Sequence, residues 1–369
     1  MCGIVAAVAD RNIVPVLLEG LCKLEYRGYD SAGLALINAF GLHRLRSVGR
    51  VAELAAQVDG SSQAVGNTGI AHTRWATHGV PCERNAHPHI SDGLAVVHNG
   101  IIENHEVLRA RLKAVGYEFV SDTDTEVIAH LIAYELKTAA DFLTAVRQAI
   151  AQLQGAYAIA VLREADPTSL VVAREGAPLL LGLGDDGYYA ASDASALIQV
   201  TRRMVYLENG DCAELRRDGY RIARVDGTPV DRPESESQLS ADAVELGQYR
   251  HYMQKEIFEQ PVALSNTLEM LGAARSIQPG VFGATSEATL KEVKNILIIA
   301  CGTSYHAGLV ARYWLESIAA IPCAVEVASE YRYRESVPDP DTLVVTISQS
   351  GETADTLAAL HHAKSLGMH

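Results

Sequence analysis

The stretch Asp226–Asp242, DGTPVDRPESESQLSAD, constrains this chain more than any other segment. It carries two prolines and almost no apolar residue at strand or helix spacing. It therefore separates two hydrophobic patterns that do not share one core. Before it, short apolar runs bounded by Gly, Asp or Pro predict strands at Gly3–Ala9, Ala32–Ile37, Thr68–Thr73, Leu94–His98, Ala156–Leu162, Ser169–Ala173, Leu179–Leu183 and Tyr188–Ala191. Helical spacing joins Val14, Leu17, Leu18, Leu21 and Leu24, then Val107, Leu108, Arg111 and Leu112, then Val127, Ile128, Leu131, Ile132 and Leu136. After it, a helix is expected over Tyr249–Leu271, followed by a parallel βαβ rhythm: strand Asn295–Ala300, helix His306–Ser317, strands Cys323–Val327 and Thr342–Ile347, helix Thr353–Leu366. The expected organisation is a first domain over 2–225, a linker over 226–245 and a second domain over 246–369.

Lys and Arg number 31 against 45 Asp and Glu, a formal charge of −14. Binding to a phosphate backbone needs a basic surface that releases counterions, so no nucleic-acid partner is expected. No stretch approaches the ~18 consecutive apolar residues of a membrane span, and no signal-peptide pattern opens the chain. The expectation is a cytoplasmic protein without a membrane partner. Cys2, Cys22, Cys82, Cys212, Cys301 and Cys323 are scattered without CxxC spacing, the usage of reduced thiols. All but Cys2 read as small buried apolar residues. Among the histidines there is no HExxH, and His87 and His89 form the closest non-adjacent pair, so neither metal nor cofactor is expected.

Met1-Cys2-Gly3 carries more information. Removal of Met1 would leave Cys2 with a free α-amine beside its thiol, nucleophile and base in one residue. An α-amine titrates near pH ~8, close enough to neutrality to take the thiol proton and return it to a leaving amine. Further along come LEYRGYDSAGLAL, HTRWATHG, NAHPH, VVHNGIIENH and SDTDTEVIAHL. Together with CGIVAAVA, these segments resemble the class II glutamine amidotransferase domain, an amino-terminal-nucleophile hydrolase. With the later segments, RGYDSAG and TRWATHG are similar to the glutamine–fructose-6-phosphate aminotransferase family. The fold this implies is an α+β four-layer αββα sandwich.

Hydrolysis of a side-chain amide builds an oxyanion that needs donors fixed in advance. Asn99 and Gly100 offer a side-chain amide and a backbone N–H, although an Asn-Gly pair also marks hairpin turns. L-Glutamine carries an α-carboxylate and an α-ammonium. Arg74 has the planar fork for the first. Asp124 has the charge for the second, and is equally suited to cap the helix that follows it. The resemblance implies glutamine binding by Arg74, Thr77, His78 and Asp124. It also implies a pocket shaped by Arg27, Gly28, Tyr29 and Asp30, and a mobile loop bearing Trp75 that closes on glutamine. His87 and His98 are expected to be hydrogen-bonded scaffolding, because the α-amine already supplies a base.

In the second domain, CGTS (301–304) and SQSGET (348–353) follow parallel strands and precede helices, where open α/β sheets hold anions. Both resemble elements of the sugar isomerase (SIS) fold. The resemblance implies that Thr303, Ser304, Ser348, Gln349, Ser350 and Thr353 contact fructose 6-phosphate. Only three parallel strands precede His369, so a truncated α/β parallel-sheet SIS domain is expected, and with it a fragment acting as a glutaminase alone. The full-length parent is expected to be a homodimer. Two other readings stay open: a class II amidotransferase of the phosphoribosyl-pyrophosphate type, or a non-catalytic sugar-phosphate-sensing protein.

Overall fold

The computed structural model describes residues 2–25, 28, 30–75, 79–237, 249–270, 286–349 and 353–368. Its contacts divide the chain into two compact units, Met1–Gln248 and Tyr249–His369.

The first unit contains two antiparallel sheets. In the eight-stranded sheet, β1 (Gly3–Ala9) lies between β4 (Thr68–Arg74) and β10 (Gly187–Ala191), with β2 (Ser31–Asn38) and β3 (Gly41–Val48) beyond β4. On the other side, β9 (Leu180–Leu183) follows β10, then β11 (Arg203–Tyr206) and β14 (Glu234–Glu236). The six-stranded sheet runs in the order β13 (Gly219–Arg224), β12 (Asp211–Arg216), β8 (Asp166–Glu175), β7 (Gly155–Arg163), β6 (Leu94–Ile102) and β5 (His89–Ser91).

The period of two along each strand builds the layers. In β1, Ile4, Ala6 and Val8 join Ala95, Val97, Ala158 and Ala160 in a core between the two sheets. The alternate residues Val5, Ala7 and Ala9 pack with Leu17, Leu21 and Leu54 of helices α1 (Val14–Leu24) and α2 (Val51–Asp59). On the far side, Val96, Ile159 and Val171 meet Leu108, Ile128 and Val146 of α3 (His105–Ala114), α4 (Thr125–Glu135) and α5 (Phe142–Ile150). The result is the expected αββα sandwich. It also explains why GIVAAVA is apolar without alternation, since both faces of the strand are buried. At roughly 1.5–3 kcal/mol for each large side chain removed from water, these three cores carry the stability of the unit.

Residues 226–237 are not a free linker. Val230 N–H donates to Ile222, Arg232 pairs with Asp211 at 2.8 Å, and Glu234–Glu236 extends the larger sheet beside Arg203–Tyr206. Polarity misled here, because an edge strand and its turn expose most of their side chains. The rest of the expected linker falls largely within 238–248, outside the described residues.

In the second unit, β15 (Asn295–Ala300) pairs in parallel with β16 (Cys323–Val327) on one side and β17 (Thr342–Ile347) on the other. Leu297 and Ile299 pack against Ala359 and Ala363 of α10 (Ala354–Ser365). Ile296 and Ile298 face Ala311 of α8 (Gly302–Trp314) and Leu315 just beyond it. Helix α8 thus begins four residues before the expected His306, which places Thr303 and Ser304 in its first turn. Helix α6 (Tyr252–Met270) precedes the sheet, as expected, with α7 (Ser286–Glu292) next and the short α9 (Ala328–Tyr331) following β16. No helix among the described residues is long and apolar enough to cross a membrane. All six cysteines are free thiols; of the five expected to be buried only Cys212 and Cys323 are, while Cys82 and Cys301 are half-buried and Cys22 is exposed.

Candidate active site

Register places the nucleophile candidate. Gly3 pairs with Thr73, which sets Cys2 beside the end of β4, where Arg74 and Trp75 follow. A side chain at position 3 would meet Leu24 Cβ at 2.7 Å and Thr73 Oγ1 at 2.8 Å, so glycine lets the first strand approach this closely. The half-buried Cys2 Sγ accepts the backbone N–H of Trp75 at 3.2 Å. Burial pushes the Cys2 thiol up from its ordinary range, with the Trp75 N–H and Arg74 acting against the rise and Asp30 adding to it. A thiol held protonated in this way needs a base close by before it can attack.

Asn99 and Gly100 lie inside β6, paired with Ala158 and Tyr157 of β7, so the pair is no hairpin turn. Asn99 Nδ2 donates to the backbone oxygen of Cys2 at 3.1 Å. Gly100 has φ +128, and a Cβ there would lie 2.0 Å from the Ala156 carbonyl oxygen. Only glycine can present its backbone at that point. Both amide donors are thus anchored by the pairing of β6 with β7.

Arg74 and Asp124, each only 4% exposed, line one cleft together with Cys2, Trp75, His98 and Gly100. Arg74 donates to the Gly79 carbonyl at 2.9 Å and lies 3.8 Å from Asp30 Oδ1, while Asp30 N–H donates back to the Arg74 carbonyl. Asp124 stands at the N-cap position of α4 yet makes no capping bond from its side chain. Its Oδ2 accepts instead from Ile102 N–H at 2.9 Å. The capping alternative therefore fails, and a buried carboxylate faces the cleft. Trp75 is 57% exposed at its rim. Arg27, Tyr29, Thr77 and His78 lie outside the described residues.

His87 and His98 line this cleft, and His72 and His89 contact its lining residues. His98 N–H donates to His87 Nδ1 at 3.4 Å, His98 Nδ1 meets Thr125 Oγ1 at 3.0 Å, and His87 stacks on His72 with ring centroids 4.1 Å apart. His89 Nε2 contacts Thr123 Oγ1 at 3.1 Å. Burial drives His72 down to about 3 and holds His87 and His89 well below the ordinary imidazole range. His72, His87 and His89 are therefore neutral framework at working pH. His72 was not singled out in the sequence; inside HTRWATHG only its place on the inward face of a strand, two residues after Ile70, distinguishes it.

In the second unit, Ala300 pairs with Ile347, so the turns after β15 and β17 emerge side by side. Thr303 and Ser304 lie in the first turn of α8, and the Ser348 hydroxyl lies 3.2 Å from that of Thr353. Gln349 is exposed, and Ser350 lies outside the described residues.

A glutamine amidotransferase domain family matches residues 72–199 and the SIS domain family matches residues 289–369. Over its full 369 residues the chain is 55% identical to a glutamine–fructose-6-phosphate aminotransferase (isomerizing) of Xylella fastidiosa (strain 9a5c). It is 57% identical to the protein of the same name from Pseudomonas syringae pv. tomato (strain ATCC BAA-871 / DC3000). The chain is a homologue of the glutamine–fructose-6-phosphate aminotransferases. It spans 60% of the length of these aminotransferases.

The chain also shares its fold with solved structures. The allosteric regulatory enzyme of purine biosynthesis aligns with a TM-score of 0.52 and 27% identity, covering 61% of this chain and 49% of that one. The glutamine phosphoribosylpyrophosphate amidotransferase from B. subtilis aligns with a TM-score of 0.53 and 21% identity, covering 95% of this chain and 69% of that one.

Proposed function

We propose that the first unit hydrolyses L-glutamine to glutamate and ammonia with Cys2 as nucleophile. Loss of Met1 frees the Cys2 α-amine, which takes the thiol proton as Sγ attacks the side-chain amide carbon of glutamine. The oxyanion is met by Asn99 Nδ2 and the Gly100 N–H. The amine then protonates the leaving ammonia, water opens the thioester, and glutamate departs. Arg74 holds the α-carboxylate through its guanidinium fork and Asp124 holds the α-ammonium, with Thr77 and His78 as further glutamine contacts. Arg27, Tyr29 and Asp30 shape the pocket, and Trp75 closes over it.

The observation that carries this reading is the convergence of Cys2, Arg74, Gly100 and Asp124 on one cleft, a thiol between a buried cation and a buried anion. A sensor protein with no amidase would have no use for that set.

We infer further that the whole protein passes the ammonia to fructose 6-phosphate, making glucosamine 6-phosphate. Thr303, Ser304, Ser348, Gln349, Ser350 and Thr353 are the sugar-phosphate contacts in this reading, with Ser348, Ser350 and Thr353 nearest the phosphate. The SIS match over residues 289–369 favours this acceptor over phosphoribosyl pyrophosphate. The test is glutamate release with and without fructose 6-phosphate, with glucosamine 6-phosphate assayed in parallel. Glutamate without the amino sugar is expected from this 369-residue chain. Failure to release glutamate would overturn the amidase reading.

A further inference from the structure

His72 is not among the residues that line the cleft, yet it is fully buried and its Nε2 makes two polar contacts, to His98 and Asn99. Its Nε2 lies 3.0 Å from Asn99 Oδ1 and 3.0 Å from the His98 carbonyl oxygen. The carbonyl can only accept, so Nε2 must carry the proton, and the proton on Nε2 requires an acceptor at the Asn99 amide. That fixes the oxygen of Asn99 toward His72 and its NH₂ toward Cys2, where Nδ2 donates to the Cys2 carbonyl at 3.1 Å. In the reversed amide, oxygen would face the oxygen of Cys2, and NH₂ would face an N–H of His72. Two backbone carbonyls, from Cys2 and His98, therefore determine one tautomer and one amide orientation between them.

The strands carry the arrangement. His72 belongs to β4 of the larger sheet and Asn99 to β6 of the smaller, both on the faces turned toward the inter-sheet core. Their hydrogen bond spans the two sheets at the end of that core. The other nitrogen of His72, Nδ1, has no hydrogen-bond partner among the described residues, and the ring is covered by the stacked His87. Because His72 takes a proton only near pH about 3, the Nε2–H form persists throughout the working range.

Resting on the amidase reading above, we infer that His72 is a positioning residue for amide hydrolysis: it locks the Asn99 amide so that Nδ2 meets the oxyanion. A donor held in place before charge develops stabilises the transition state more than the bound substrate. Removing that lock should therefore lower kcat and leave the glutamine KM nearly unchanged.

The test compares His72→Leu with His72→Gln in the full chain. Leucine fills the space without a donor, whereas the glutamine NH₂ can reach both oxygens. With glutamate release as the assay, His72→Leu is expected to lose about 10- to 100-fold in kcat with KM within about twofold, and His72→Gln to recover most of the loss. In an Asn99→Ala background, His72→Leu should cost less than about twofold, because the group it positions is gone. Active protein in which His72→Leu keeps the wild-type kcat overturns the role. So does an equal loss in both backgrounds, the pattern of a general structural defect. Wild-type chain that releases no glutamate overturns the amidase reading itself, an outcome separate from either of these.

Discussion

Asp124 opens helix α4 but binds strand β6: its Oδ2 accepts the Ile102 N–H at 2.9 Å and makes no bond to its own helix. The carboxylate is thereby fixed to the strand that carries Asn99 and Gly100, so the proposed ammonium site and oxyanion site share one rigid element. Asp124→Asn keeps the acceptor for Ile102 and removes the charge. We expect the KM for glutamine to rise by about 10- to 100-fold, the worth of one charge-assisted hydrogen bond, with the melting temperature nearly unchanged. Steady-state kinetics with a thermal melt checks both halves.

Gly100→Ala should fail for a different reason. The position has φ +128 and the added Cβ would lie 2.0 Å from the Ala156 oxygen, so strain and collision act together where β6 pairs with β7. A loss of at least about 3 kcal/mol is expected, read from urea unfolding.

The buried histidines make stability depend on pH in a defined direction. In the unfolded chain each imidazole takes its proton near pH about 6.5. In the folded chain His72 does so only near about 3, and His87 and His89 are likewise depressed by burial. Below the unfolded value the unfolded state binds more protons, so stability present above it is lost as pH falls. Each such group adds a slope approaching about 1.4 kcal/mol per pH unit, so these three together approach about 4 between pH ~5.5 and ~4.5. Urea midpoints measured across that range check the slope, and a value near that of one histidine would contradict the assignment of three neutral rings.

For the second unit, Ser348→Ala removes a hydroxyl that lies 3.2 Å from Thr353 Oγ1 where the proposed phosphate binds. Calorimetric titration with fructose 6-phosphate is expected to show affinity weakened by about tenfold, with glutamine hydrolysis by the first unit unaffected.

Much of this architecture was legible because both faces of the central strands are buried. GIVAAVA and LAVVH announce themselves as apolar runs, and the parallel strand Asn295–Ala300 does the same. Gly41–Val48 was missed because it reads GLHRLRSV, a half-buried strand near an edge whose arginines reach backbone carbonyls of the 84–88 segment. Helix Phe142–Ile150 had a signal that went unread: Asp141 caps it through the Thr144 N–H, ahead of a clear apolar stripe. Cys2, Arg74, Gly100 and Asp124 do converge on the cleft. His72 could not be weighed from sequence, since its importance lies in a bond across two sheets whose register no local pattern encodes.

The most direct measurement is glutamate release by the chain and by its Cys2→Ala variant, with intact mass showing whether Met1 has been removed. Hydrolysis by the processed chain is expected, with a loss of at least about a thousandfold in Cys2→Ala and an unchanged fold by circular dichroism. Comparable glutamate release from both proteins would contradict the account, as would full activity in material that retains Met1.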